Sequence, residues 1–431
     1  MPKTVFLLRW LPLTVALAPA AALAQSAFIP LGDLPGGDAF SSANGVSSFD
    51  AALGGVDSLV VVGNAASANG REAFRWTQAG GMVGLGDLGG SFFFSFASGV
   101  NADGSLVTGA AAAAPGILAY RWRQDSGMAS LGDLPGGPVQ SEANAISADG
   151  DSIVGASRSA SGPLGDEAFL WTPALGMIGL GRLGGGGSST ATAVSGDGSI
   201  IAGTADADGA TTQPFRWTAP GGMVALELLP GPSPVGEAAG ISQDGATIVG
   251  WSTGSGDQRN AVRWTDSGIE SLGAPPPFED SDLIAQAASE DGSVIVGWGQ
   301  AGASLTAMYW TQDDGVRSLQ DTLTSDFGLD LTGWTLTLAL DVTVHTDSGQ
   351  TAIVGAGTNP SGQTEAFLAV LDPAPPCRVD LDGDGVPTIF DFLAFQTLFD
   401  AGDLRADFDG DGVLTIFDFL RYIDEFDDGC P

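Results

Sequence analysis

Ala73-Phe74-Arg75-Trp76-Thr77 is the stretch that fixes the architecture, because it returns as AYRWR from 119, AFLWT from 168, PFRWT from 214, AVRWT from 261 and AMYWT from 307. The tryptophans lie 46, 49, 46, 47 and 46 residues apart. A fixed period of that size means a stacked or radial array of supersecondary units. Each unit supplies four short pieces. An Ala/Gly-rich segment ends in an Asp-Gly turn at 103, 149, 197, 244 or 291, and a β-branched run follows, such as SLVVVG from 58 or SVIVG from 293. The Trp segment is third, and a strand such as MVGLGDL from 82 or MIGLGRL from 177 is fourth. Asp-Gly between two such runs predicts a tight type I′ hairpin. Gly81, Gly127, Gly176, Gly222, Gly268 and Gly315 mark the hairpin after the Trp strand.

Four antiparallel strands per period make a propeller blade, whereas a β-solenoid runs at shorter periods through parallel coils without regular hairpins. The expected fold is therefore all-β. The Ala/Gly-rich strand occurs seven times, at Ala43, Ala97, Ala143, Ala191, Ala238, Gln286 and Ala339. FIPLGDL from 28 is a fourth strand standing alone, and AFLAVL from 366 is a third strand lacking its fourth. Pairing 28–34 with 366–371 closes a seven-bladed ring and removes two exposed sheet edges. Between Leu319 and about Gly333 the period is interrupted, which predicts a short helix or extended loop.

The 431 residues include 51 acidic and 15 basic side chains, a net charge of −36. The basic residues are scattered, which excludes a nucleic-acid partner. Residues 1–24 read as an export signal: Lys3 and Arg9 precede a mostly apolar run from Leu11 to Ala22, and Ala22-Leu23-Ala24 is a small-x-small cleavage site. No later stretch approaches 18 uninterrupted apolar residues, so no transmembrane anchor is expected. The mature chain would begin near Gln25, outside the cytoplasm, at the cell surface, in the surrounding medium or in a periplasm, where disulfides are permitted.

The composite of Leu-Gly-Asp-Leu-x-Gly-Gly, Ala-x-x-Val-Ser-x-Asp-Gly, Ile-Val-Gly and Ala-Phe-x-Trp resembles the HAF family of extracellular repeats over residues 28–371, which implies an exported repeat protein without an established activity. The histidine of that family's name is replaced here by Glu72, Leu118, Glu167, Gln213, Asn260, Thr306 and Glu365.

Within 25–372 the inventory offers no triad. His345 is the only histidine, near the last hairpin turn, and neither cysteine lies in this region. Paired carboxylates could still serve a glycosidase. The recurring acids have structural explanations: the Asp-Gly aspartates form turns, and Asp33, Asp87 and Asp133 are placed to pair with Arg75, Arg121, Arg216 and Arg263. The ladder tryptophans Trp76, Trp122, Trp171, Trp217, Trp264 and Trp310 belong to the core, since one equivalent residue in every unit marks architecture. Ligand specificity is expected in the variable loops before the Trp strand, such as SRSASGPLGDEA against STGSGDQRNA.

After a proline-rich linker, 373–376, the composition changes. Residues 377–431 hold two loops with the spacing of calcium ligands: Asp380, Asp382, Asp384, the Val386 carbonyl and Asp391, then Asp407, Asp409, Asp411, the Val413 carbonyl and Asp418, offset by 27 residues. Each loop runs into one amphipathic segment, so a small α-helical domain with two Ca2+ ions is expected. Cys377 and Cys430 bracket it and suggest a disulfide clasp, useful in so small a core. The tandem loops without entering helices resemble a type I dockerin, and the terminal Gly-Cys-Pro resembles the short dockerin-like module that ends many exported planctomycete proteins. That resemblance implies a cohesin-like or other envelope protein as partner, although Ile389-Phe390 and Ile416-Phe417 stand where type I dockerins carry polar contacts. The function expected is a non-enzymatic exported propeller that binds, with a polysaccharide as one candidate ligand, or presents surface, attached through this module. The alternative is a carbohydrate- or polymer-active enzyme using acids in the propeller funnel.

Overall fold

The computed structural model describes residues 26–49, 55–160, 165–184, 187–207, 211–256, 258–279, 281–301, 304–373, 379, 381, 387–408 and 413–428. Among them the fold is mostly β, with 28 strands and three α-helices. The strands form seven four-stranded antiparallel units, at 36–84, 95–132, 136–181, 189–225, 236–271, 283–318 and 335–371, the last taking its fourth strand from Ala27–Pro30. Phe28, Ile29 and Pro30 lie opposite Ala369, Leu368 and Phe367. Single parallel bridges, Phe40 to Thr364 and Gln140 to Ile117, merge two pairs of units into eight-stranded sheets. The first strand of each unit packs beside the first strand of the next, and that of the last unit packs beside Gly36–Val46 of the first. This is a β-propeller architecture.

A bulge explains the Ala/Gly-rich strand. In the first unit Ala43 faces Gly63 and Gly45 faces Val62, so Asn44 is skipped. The displaced Ser42 carbonyl then presses on Gly63, where a Cβ would lie 2.0 Å from it. The same bulge recurs opposite Gly109, Gly155, Gly203, Gly250, Gly297 and Gly355, so the glycine of every Ile-Val-Gly run is required for close approach. In the sixth unit the residue facing the glycine is Ala285, and Gln286 is the bulged residue, one position from where the repeat count put the equivalent.

The Asp-Gly turns differ from the type I′ expectation. The Gly150 N–H donates to the Ser147 carbonyl at 2.9 Å, making glycine the fourth turn residue at φ 78°, while Asp149 Oδ1 accepts from the Ser147 hydroxyl at 2.6 Å and the Asp151 N–H at 2.9 Å. Aspartate serves here as a local acceptor, which relieves it of the positive φ a two-residue turn demands.

Consecutive units are bolted by buried serines. Ser41 donates to the Gly32 carbonyl at 2.7 Å and accepts from the Ala366 N–H at 3.0 Å, tying the first unit to both ends of the last. Ser95, Ser141 and Ser189 repeat the bolt at later seams. Two residues before the ladder phenylalanine, Glu72, Glu167 and Glu365 accept from the Gly86, Gly181 and Gly32 N–H groups. Hydrophobic clusters span the seams, one joining Val61, Phe74 and Trp76 to Val354, Leu368 and Val370. All six ladder tryptophans lie in or against such clusters. The ladder arginines do not pair with Asp33, Asp87 or Asp133 among the described residues. Arg121 stacks over Trp171 at 4.9 Å and Arg263 over Trp310 at 4.7 Å, each on the following unit, and Asp87 accepts from the Gly89 N–H of its own turn. A guanidinium is weakly hydrated and planar, so an aromatic face can answer its burial; Arg263 adds an ion pair with Glu270 on the neighbouring strand of its own unit at 2.7 Å.

The interruption after the sixth unit holds helix α1 (Leu319–Ser325), capped by Ser318, whose Leu319 and Leu323 are buried. Near the C-terminus lie α2 (Ile389–Ala401) and α3 (Ile416–Asp428). Thr388 caps α2 in a reciprocal box with Asp391, and Gly402 ends it at φ 72°. Their core is Val379, Phe395, Ala406, Phe408 and Tyr422, with the Phe395 and Tyr422 rings stacked at 4.1 Å.

Candidate functional site

The bulged residues, Asn44, Ser98, Asn144, Thr192, Ala239, Gln286 and Leu340, line a channel of about 200 Å³. Released from the ladder, they turn inward and bridge units: Asn44 Nδ2 donates to the Ala97 carbonyl at 2.9 Å, Asn144 Nδ2 to Ala191 at 2.8 Å and the Thr192 hydroxyl to Ala238 at 2.8 Å. The channel widens into a funnel of about 530 Å³ lined by Phe96, Glu237, Trp251, Arg259, Ile284, Trp298 and several of the bulged residues.

The funnel wall departs from the repeat. Its cross-strand layer pairs Glu237 with Trp251 and Ile284 with Trp298, in the fifth and sixth units. The other five units hold Asn64, Ala110, Ala156, Thr204 and Ala356 where those tryptophans stand. Trp251 Nε1 donates to Glu237 Oε2 at 3.3 Å, and the Arg259 guanidinium lies 4.5 Å from the centre of the Trp251 ring. Arg259 belongs to the variable stretch STGSGDQRNA, but Trp251 and Trp298 were not singled out from sequence. The signal was available, since Ile-Val-Gly is followed by Trp in only two units.

Two carboxylates from non-equivalent positions meet at the narrow end of the channel. Asp341 stands where the other units have Gly45, Gly99, Ala145, Ala193, Gly240 and Ala287. Its oxygens accept from the Val46 and Val342 N–H groups at 2.9 Å each. Burial pushes its carboxyl up to about 7, against the lowering pull of those two bonds, and the negative charge of Glu290 adds to the rise. Glu290 accepts from the Val344 N–H at 2.6 Å, the Thr343 hydroxyl, Gln243 Nε2 at 3.2 Å and the Ser48 hydroxyl at 3.4 Å. Both acids therefore fasten units together. His345 is a turn residue, its Nδ1 accepting from the Ser348 N–H at 3.1 Å.

Of the expected calcium ligands, Asp380, Asp382, Asp384, Val386, Asp409 and Asp411 lie outside the described residues, as do Cys377, Cys430 and the 1–24 segment. Asp391 and Asp418 are wholly buried at the starts of α2 and α3. Asp391 accepts from the Leu381 N–H at 2.7 Å and the Thr388 N–H at 2.8 Å, and Asp418 from the Thr415 N–H at 2.7 Å. A buried carboxylate turned back toward its own loop fits the twelfth ligand position, and it also caps the helix. Asp407 is half-buried and Val413 exposed. Ile389, Phe390, Ile416 and Phe417 do not enter the small core: they are 62%, 67%, 61% and 65% exposed.

No helix among the described residues is long and apolar enough to cross a membrane. No family model and no curated protein matches the chain. Among solved structures it is similar to a putative TolB from Agrobacterium tumefaciens, at 13% identity over 77% of this chain and 99% of that one, with a TM-score of 0.40. It is also similar to the β-propeller domain of the Trilobed protease from Pyrococcus furiosus, at 8% identity over 76% and 95%, with a TM-score of 0.45. At such identities and TM-scores neither neighbour bears on activity or ligand.

Proposed function

We propose that this chain is an exported, non-enzymatic binding protein: a seven-bladed propeller of HAF-like repeats, closed by its N-terminal strand, that takes a ligand at the funnel and is held to an envelope partner by a C-terminal dockerin-like module. The observation that carries the binding role is the asymmetry of the funnel, where two units place a tryptophan in a layer that the other five fill with smaller side chains, and Arg259 lies over one of them. Among the described residues Glu237 is the one carboxylate in that lining, which argues against a pair of catalytic acids drawn from them at the open end. In support of closure, the last unit and the first share the Phe40–Thr364 bridge, a serine bolt and a hydrophobic cluster.

In the module, two Ca2+ ions would be held by the aspartates and valine carbonyls of the tandem loops, and Cys377 and Cys430 would close it with a disulfide. The exposed Ile-Phe pairs at the starts of α2 and α3 support a docking role. Screening the full chain against polysaccharides for both retention and shortening of the polymer tests the binding role: retention without shortening is expected, and shortening would establish the polymer-active alternative.

A further inference from the structure

We propose that the funnel receives a carboxylate-bearing saccharide, a uronate chain, with Arg259 taking the carboxylate and the half-buried Trp298 stacking on a sugar face. The inference rests on the binding role above and names its ligand class.

Arg259 is the first reason. In a chain with 51 acidic against 15 basic side chains, ion pairs hold Arg158, Arg182, Arg263 and Arg317. Arg259 lies over the Trp251 ring at the funnel wall, 4.5 Å from its centre, and among the described residues its guanidinium makes no hydrogen bond or ion pair. Its own backbone is fixed, the N–H donating to Asp282 Oδ1 at 2.9 Å. A pre-oriented planar fork with unspent donors, facing a cavity, matches a carboxylate.

Gln286 is the second. Bulged out of the ladder onto the funnel floor, its amide has no hydrogen-bond partner among the described residues, so a donor and an acceptor face the cavity. Together with the Glu237 carboxylate, which holds the Trp251 ring in place, this suits the paired donor and acceptor character of sugar hydroxyls. Trp298 and Phe96 supply apolar faces within the same lining. A peptide that adds a strand would need open backbone acceptors on the inner strands, but the Ala97, Ala191 and Ala238 carbonyls already accept from Asn44, Asn144 and Thr192.

The test titrates the full chain with trigalacturonate and an alginate-derived trimannuronate, against maltotriose, cellotriose and triglutamate, following tryptophan fluorescence and calorimetry. The uronate trimers are expected to bind. Arg259→Gln should weaken them about ten- to hundredfold, the loss of a charged hydrogen bond, with the melting temperature unchanged. Trp298→Phe, which keeps the core filled, should weaken them less, by reducing the stacking face. Neutral trimers bound equally well and indifferent to Arg259→Gln would overturn the carboxylate assignment while leaving the binding role intact. Preference for triglutamate, uronate binding untouched by both variants, or no binding of any probe would each overturn the proposal. Shortened uronate products, lost in Arg259→Gln, would support the ligand class and overturn the non-enzymatic role.

Discussion

Asp341 offers the sharpest test of how the propeller is held together. Its carboxyl, raised by burial from 3.8 to about 7, binds a proton more tightly in the native state than in the unfolded chain. The stability associated with that proton is fully present below the unfolded value and is lost as pH rises through the native one, so the window runs from about 4 to about 7. A tenfold change in proton affinity corresponds to about 1.36 kcal/mol, so the total is of order 4 kcal/mol, and roughly 2–3 kcal/mol of it should disappear between about pH 5 and 8. Asp341→Asn stays neutral throughout and keeps an oxygen to accept the Val46 N–H. It is expected to gain on the parent as pH rises, the difference growing by roughly 2–3 kcal/mol between about pH 5 and 8. Urea unfolding followed by tryptophan fluorescence isolates the propeller, because no tryptophan lies beyond Trp334. Taking the difference between variant and parent removes the titration of the acids that do not interact with Asp341, which leaves Glu290 as the one coupled to it. A gap independent of pH would show that the carboxylate is ionised and stabilised by its two N–H donors, refuting the reasoning.

Four further outcomes are expected. Ser41→Ala leaves the Gly32 carbonyl and Ala366 N–H without their shared partner and should cost about 1–3 kcal/mol in the same unfolding assay, and deletion of 26–34 should expose a sheet edge and produce aggregates on size-exclusion chromatography. Calorimetric titration should find two Ca2+ sites, with Asp380→Ala and Asp407→Ala each removing one; unaltered binding would sink the assignment. Thiol labelling of the denatured, unreduced protein should find no free sulfhydryl, whereas stoichiometric labelling would remove the Cys377–Cys430 clasp.

What the sequence determined by itself was whatever repeats or travels along the chain. The Trp period, the glycines before each fourth strand and the orphan strand at 28 were legible because blade formation depends on neighbours in sequence, and every copy repeats the same demand. The interruption after Ser318 was legible for the converse reason, as a break in that demand. Tertiary structure decided what depends on groups meeting from different units. The arginines found the rings of the next unit because only the assembled seam brings an aromatic face within 5 Å of them. Ser41 and Glu365 gained their partners across more than 300 residues of chain. The bulge is set by how two strands pair, so the channel-facing identity of Asn44 and Gln286 is invisible until the register is known. Trp251 and Trp298 could be seen as exceptions in the repeat, but only packing around one channel turns two exceptions 47 residues apart into one wall. Periodic sequence specifies local geometry, while a site is a coincidence of side chains in space, and the packing of the units against one another creates that coincidence.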